Sequence, residues 1–167
     1  MRHGIAVERS KRSDADYHLD FQRPLTPEGR NSTRQAARGL VAFCAPPDLI
    51  ATSPKLRALQ TAEIVREELK VHWNTKIPLK QWEELKMDHF GSWGNRLKDS
   101  KANSVWLVGH EPDLSRFASL QLAHDAGMVQ IEFKKAGALG LELDLSTGLA
   151  TLLWMLPPRV LRRMAHE

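Results

Sequence analysis

The sequence predicts an α/β fold: a three-layer sandwich with a mostly parallel central sheet and an antiparallel C-terminal edge. Three observations carry that reading. Short apolar runs at Leu49-Ile50-Ala51-Thr52 and Val105-Trp106-Leu107-Val108 have the character of buried parallel strands. Segments with helical spacing alternate with these runs. The chain then closes on two alternating runs divided by Ser146-Thr147-Gly148, the pattern of a hairpin.

Thr26-Pro27-Glu28 reads as a helix start, because threonine caps free backbone N–H groups and proline is tolerated at the first helical position. Ala36, Ala37, Leu40 and Val41 continue at helical spacing until Pro46-Pro47 stops the helix. After the strand at 49–52, Ser53-Pro54 begins a second helix by the same capping logic. Leu56, Leu59, Val65 and Leu69 form its inward stripe, and Glu63, Arg66, Glu67 and Glu68 suit water. Residues 70–103, with Trp73, Trp82 and Trp93 among charges, hold at most one helix. The strand at 104–108 runs straight into Gly109-His110-Glu111-Pro112, and a helix through Leu114, Phe117 and Ala118 follows. Residues 128–133 alternate and read as a strand, as do Leu139 to Leu145 and Leu149 to Trp154. A short basic helix from Pro158 ends the chain.

The 167 residues suit a single domain, 1–167, with 42% apolar and 26% charged residues, a composition able to build a core. The lone Cys44, in Val41-Ala42-Phe43-Cys44-Ala45, reads as a small core residue. No stretch reaches the roughly 18 apolar residues of a membrane span, and no apolar signal region precedes the first charges, so a cytoplasmic setting is expected. The net charge of +4 favours acidic or phosphorylated partners. Basic residues are spread along the chain without a zinc-finger or aromatic RNA-binding signature, so neither nucleic acid nor a membrane is an expected partner.

Open α/β sheets bind ligands at the carboxyl ends of their strands. His110 follows one such strand, and Arg57 lies in the first turn of the helix after another. A helix N-terminus beside an arginine fork suits phosphate oxygens. Singly, each residue is more often structural than functional; the additional Arg2-His3-Gly4 at the start strengthens the set.

Arg2-His3-Gly4, Arg23-Pro24-Leu25-Thr26-Pro27-Glu28-Gly29-Arg30, Ser53-Pro54 with Arg57 and Gln60-Thr61-Ala62, and Val108-Gly109-His110-Glu111-Pro112 resemble, in order, the histidine phosphatase (phosphoglycerate mutase-like) superfamily. Within it they look most like the compact SixA-type phosphohistidine phosphatases, to which Phe133–Ala138 and Trp154–Leu161 are similar as well. The resemblance implies that His3 attacks phosphorus and forms a phosphohistidine that water hydrolyses, with Arg2, Arg57 and His110 holding the phosphoryl oxygens. A neutral imidazole is a usable nucleophile, and covalent catalysis divides one hard step into two. Cationic side chains supply the charge stabilisation that phosphoryl transfer needs, so no metal or other cofactor is expected. Arg23, in a segment that borders the pocket in similar proteins, is a further candidate substrate contact.

Glu83, Glu84 and Glu111 are candidates by position only for the acid that protonates an alcohol leaving group in larger relatives. Without a clear acid the expectation tilts to phosphohistidine on a phosphorelay-type protein in signal transduction, because imidazole leaves more readily than an alkoxide. The alternatives are a phosphatase for small phosphate esters and a non-catalytic phosphate-recognition module. A monomer is expected. Relatives carry a short apolar strand before Arg-His-Gly, whereas Met1 directly precedes Arg2 here. Either the reading frame begins upstream, or the product lacks a central strand and carries its nucleophile on a frayed terminus.

Overall fold

The computed structural model describes residues 1–8 and 20–165. Helix α1 spans Pro27–Phe43 and begins as expected, with the Thr26 hydroxyl accepting a hydrogen bond from the Gly29 N–H at 2.9 Å. Strand β1 (Leu49–Thr52) leads into α2 (Leu56–Trp73), β2 (Leu79–Gln81) and α3 (Trp93–Ser100). Strand β3 (Val105–Val108), helix α4 (Asp113–Ala123), strands β4 (Ala138–Asp144) and β5 (Leu149–Leu156) and helix α5 (Pro158–Met164) complete the order.

The strands form a parallel sheet in the order β2-β1-β3, with Ile50 opposite both Leu79 and Trp106, and a separate antiparallel β4-β5 hairpin. The period of two along β1 sends its residues to opposite layers. Ile50 packs with Ala37, Val41, Ala62 and Val65 of α1 and α2. Leu49 and Ala51 pack with Trp82, Trp93, Leu114 and Phe117 on the other side. The result is the expected sandwich.

Between β3 and β4 lies a slot of about 750 Å³ lined by Val105, Leu107, Ala138, Leu139, Leu141 and Met1. Residues 1–3 close its end: Arg2 makes a parallel bridge to Gly109, and the Arg2 N–H donates to the Gly137 carbonyl at 3.0 Å. The Met1 amino group donates to the Leu107 carbonyl at 2.6 Å. Strands β3 and β4 thus lie on either side of an apolar groove whose end residues 1–3 occupy.

Several elements depart from expectation. Helix α2 starts at Leu56, with its cap at Lys55 two residues after the expected Ser53, and the Ser53 hydroxyl bonds to His110. Small residues Ala58, Thr61 and Ala62 form much of its buried face, because α2 packs closely on the sheet and α1. Glu68, expected in water, is buried and takes Arg34 at 2.8 Å and Arg38 at 3.1 Å. Residues 70–103 hold strand β2 and two 3₁₀ turns in addition to one α-helix. Residues 128–133 are not a strand. Their backbone groups go to side chains, with Val129 N–H donating to Ser119 Oγ and the Ile131 carbonyl accepting from Ser115 Oγ, so no ladder forms. Among the described residues no helix is long and apolar enough to cross a membrane.

Candidate active site

The chain brings its candidate residues to the carboxyl ends of β1 and β3, where Ser53 N–H donates to the Val108 carbonyl at 3.0 Å. His3 N–H donates to the Gly109 carbonyl at 3.1 Å, which places the His3 ring 5.0 Å, centroid to centroid, from that of His110. One side chain locks the turn after His3. Gly4 N–H donates to Thr61 Oγ1 at 3.0 Å, and that hydroxyl donates to the Arg57 carbonyl at 2.7 Å, so one threonine joins the His3–Gly4 turn to α2. A Cβ at Gly4 would lie 2.1 Å from Thr33 Oγ1, which is why only glycine fits this approach to α1.

His3 is 7% exposed, and its Nδ1 lies 2.7 Å from the Gly4 carbonyl oxygen. A carbonyl only accepts, so Nδ1 carries the proton and the lone pair resides on Nε2. Burial lowers the His3 pKa, and the charges of Arg57, Arg2 and Lys135 lower it further against the bond to Gly4, to about 3. His110 Nε2 meets Ser53 Oγ at 2.9 Å. Burial, then His3, Arg57 and Lys55, push its pKa down to about 2. Both imidazoles are therefore neutral at neutral pH.

The arginines are held by carbonyls and by one carboxylate. Arg2 Nη1 donates to the Phe133 carbonyl at 2.7 Å. Arg57 Nη1 donates to the Asp20 carbonyl at 2.8 Å, and its Nη2 lies 3.4 Å from Asp20 Oδ2. Arg23 donates through Nε to Asp20 Oδ1 at 2.8 Å and through Nη1 to the Val7 carbonyl at 2.8 Å. Pairing of Ala6 with Leu25 carries the Arg23 segment to this end of the sheet. Burial alone would raise the Asp20 carboxyl, but Arg57, Lys55 and Arg23 hold it down to about 2.

The candidate acids are engaged elsewhere. Glu83 pairs with Lys86, and Glu84 lies 3.8 Å from Arg96. Glu111 Oε2 accepts from Ser115 Oγ at 2.5 Å, and burial raises its pKa although that bond and then Arg2 oppose the shift. All five phosphate-pocket candidates, Arg2, His3, Arg23, Arg57 and His110, thus meet in one region. Sequence reasoning missed Asp20 and Lys55, and it placed Ser53 and Thr61 in the resembling motifs without assigning either a contact in the site. The one local signal was the spacing of Asp20 three residues before Arg23, which suits an ion pair across a helical turn.

A family model for the histidine phosphatase superfamily (branch 1) matches residues 1–135. An uncharacterized protein of Picosynechococcus sp. is 38% identical over 142 residues, which are 84% of this chain and 81% of that protein. The structure of the protein histidine phosphatase SixA complexed with tungstate superposes with a TM-score of 0.77 and 26% identity, covering 95% of each chain. The alpha-ribazole phosphatase from Shigella flexneri shares the fold at a TM-score of 0.66 and 15% identity, covering 95% of each chain.

Proposed function

The chain belongs to the histidine phosphatase superfamily, and on that premise we propose that it hydrolyses phosphohistidine on a phosphorelay-type protein, with His3 as the covalent carrier. The observation that carries this reading is the bond between His3 Nδ1 and the Gly4 carbonyl, which leaves the lone pair on Nε2 of a neutral, buried imidazole. Nε2 attacks phosphorus while the P–N bond of the substrate breaks, and the departing imidazole takes a proton from solvent. Water then attacks the phosphoryl group on His3 and loses a proton, and inorganic phosphate leaves with His3 again neutral. Arg2, Arg57, Arg23 and His110 bind the phosphoryl oxygens and stabilise their charge in the transition state. Metal-independent catalysis is part of this proposal, because Arg2, Arg57 and Arg23 supply the positive charge and the neutral His110 contributes hydrogen bonding.

The engagement of Glu83, Glu84 and Glu111 by Lys86, Arg96 and Ser115 supports the substrate assignment, since an imidazole leaving group has less need of a positioned acid. A second reading, hydrolysis of small phosphate esters, draws on Glu111, whose raised pKa suits a proton donor. The test incubates the protein with a phosphohistidine peptide and a phosphoserine peptide, with chelator present. Faster phosphate release from phosphohistidine, lost in His3→Ala, is expected. Equal rates on both peptides would sink the substrate assignment, and a strict requirement for added divalent metal would sink the mechanism.

A further inference from the structure

Residues 133–137 wrap around Arg2 and His3. Arg2 Nη1 donates to the Phe133 carbonyl at 2.7 Å, and Arg2 N–H donates to the Gly137 carbonyl at 3.0 Å. Ala136 N–H is shared between the Arg2 and His3 carbonyls, at 3.1 Å from each. Gly137 N–H donates to the Lys134 carbonyl at 2.9 Å, so Lys135 and Ala136 are the two central residues of a tight turn. Ala136 is buried with a φ of 61°, in the left-handed region that a residue with a side chain adopts only at a cost. Its bonds to Arg2 and His3 hold that conformation, and they fix Lys135 one residue away from the backbone of His3.

Lys135 is the exposed member of this turn, and among the described residues its ammonium has no carboxylate partner. Lys134, by contrast, pairs with Glu132. The Lys135 charge nevertheless reaches the pocket. After burial, and against the bond to Gly4, the charges that depress the His3 pKa are those of Arg57, Arg2 and Lys135. Two of these three are the arginines that bind the phosphoryl group in the reaction described above; the third has no part in it. An exposed, uncompensated cation whose field extends to the reacting ring attracts an anion before any contact forms, and such attraction raises the rate of encounter. We propose that Lys135 is a substrate-recruiting residue, which draws the phosphoryl group to the pocket by long-range attraction and takes no part in bond making. This rests on the phosphatase reading above.

The test compares steady-state kinetics on a phosphohistidine peptide for the wild-type protein, Lys135→Met, Lys135→Glu, Lys135→Arg and Lys134→Met. Each is measured at about 20 mM and about 500 mM salt, between which the screening length falls from about 20 Å to about 4 Å. At low salt Lys135→Met should lower kcat/KM about three- to fivefold and Lys135→Glu about tenfold, with kcat within about twofold of wild type and Lys135→Arg close to it. Lys134→Met should stay within about twofold, because that charge is already paired. At high salt all five proteins should converge. A loss in Lys135→Met that persists at high salt, or that falls on kcat, means a packing or contact role and overturns the proposal. An equal loss in Lys134→Met also overturns it, since net charge alone would then be the cause. Calorimetric titration of inorganic phosphate into the same proteins keeps the two readings apart. Salt-sensitive loss of phosphate affinity in Lys135→Met, without turnover in wild type, supports recruitment and sinks the phosphatase reading. Turnover that ignores Lys135 sinks only the recruiting role, and a wild-type protein that neither binds phosphate nor turns over sinks both.

Discussion

Acetylating the amino group of Met1 should stabilise the protein at neutral pH and have almost no effect at pH 9. That amino group sits at the end of the slot between β3 and β4 and donates to the Leu107 carbonyl at 2.6 Å. Burial lowers its pKa from 8.0 to about 5, opposed weakly by Glu111. The folded amine is therefore neutral at pH 7, whereas the unfolded amine is mostly charged. Between pH 5 and 8 the unfolded chain binds more protons, so stability rises with pH through this window and levels off above 8. At pH 7 the cost of discharging the amine is about 1 to 2 kcal/mol, larger at pH 6 and near zero at pH 9. An acetyl group removes the cost, which for a chain of this size raises Tm by about 3–6 °C at pH 7. Thermal melts of acetylated and free protein at pH 6, 7 and 9 measure this directly. A gain independent of pH, or none at pH 7, would refute the reasoning. Adding five apolar β-branched residues ahead of Met1 should raise Tm further at every pH, because it also pairs the facing edges of β3 and β4 and fills the groove. Turnover should rise too, with His3 clamped at the end of that strand. An extension of glycine and serine should give only the pH-dependent part.

Two more expectations concern the nucleophile. Because burial and neighbouring cations depress His3 and His110 to about 3 and about 2, the acid limb of kcat/KM should lie well below pH 6.5; a limb near 6.5 would show that the His3 ring is solvated in the free enzyme. The same two shifts make the unfolded chain bind more protons from pH 6.5 down to about 3, so stability should fall steadily across that range in urea titrations. Thr61→Val leaves the buried Gly4 N–H without its partner and cuts the link to the Arg57 carbonyl. It should cost about 1–3 kcal/mol of stability and lower kcat more than it changes KM, and an unaltered kcat would show that the nucleophile turn is held without it.

The elements that were legible in the sequence are those whose signals are local. Thr26-Pro27 carries its own cap, the run 49–52 is apolar whichever neighbours it meets, and Ser146-Thr147-Gly148 turns a hairpin through short-range bonds. The ordered motifs around His3, Arg23, Arg57 and His110 likewise revealed the family and the pocket candidates, because each motif is contiguous. Burial of Glu68 by Arg34 and Arg38, which lie on another helix, was not legible. Nor was the failure of 128–133 to join a sheet, since the partners that claim its backbone, Ser115 and Ser119, belong to α4. Ser53 and Thr61 stand in the resembling motifs and Asp20 and Lys55 beside them, but the contacts of all four come from which charges and hydroxyls folding sets within about 3 Å of one another. Chain order thus determined which chemical groups arrive at the strand ends. Tertiary packing decided which of them are stripped of water: desolvation keeps the His3 imidazole neutral, and folding sets the Asp20 carboxylate beside Arg23, Lys55 and Arg57.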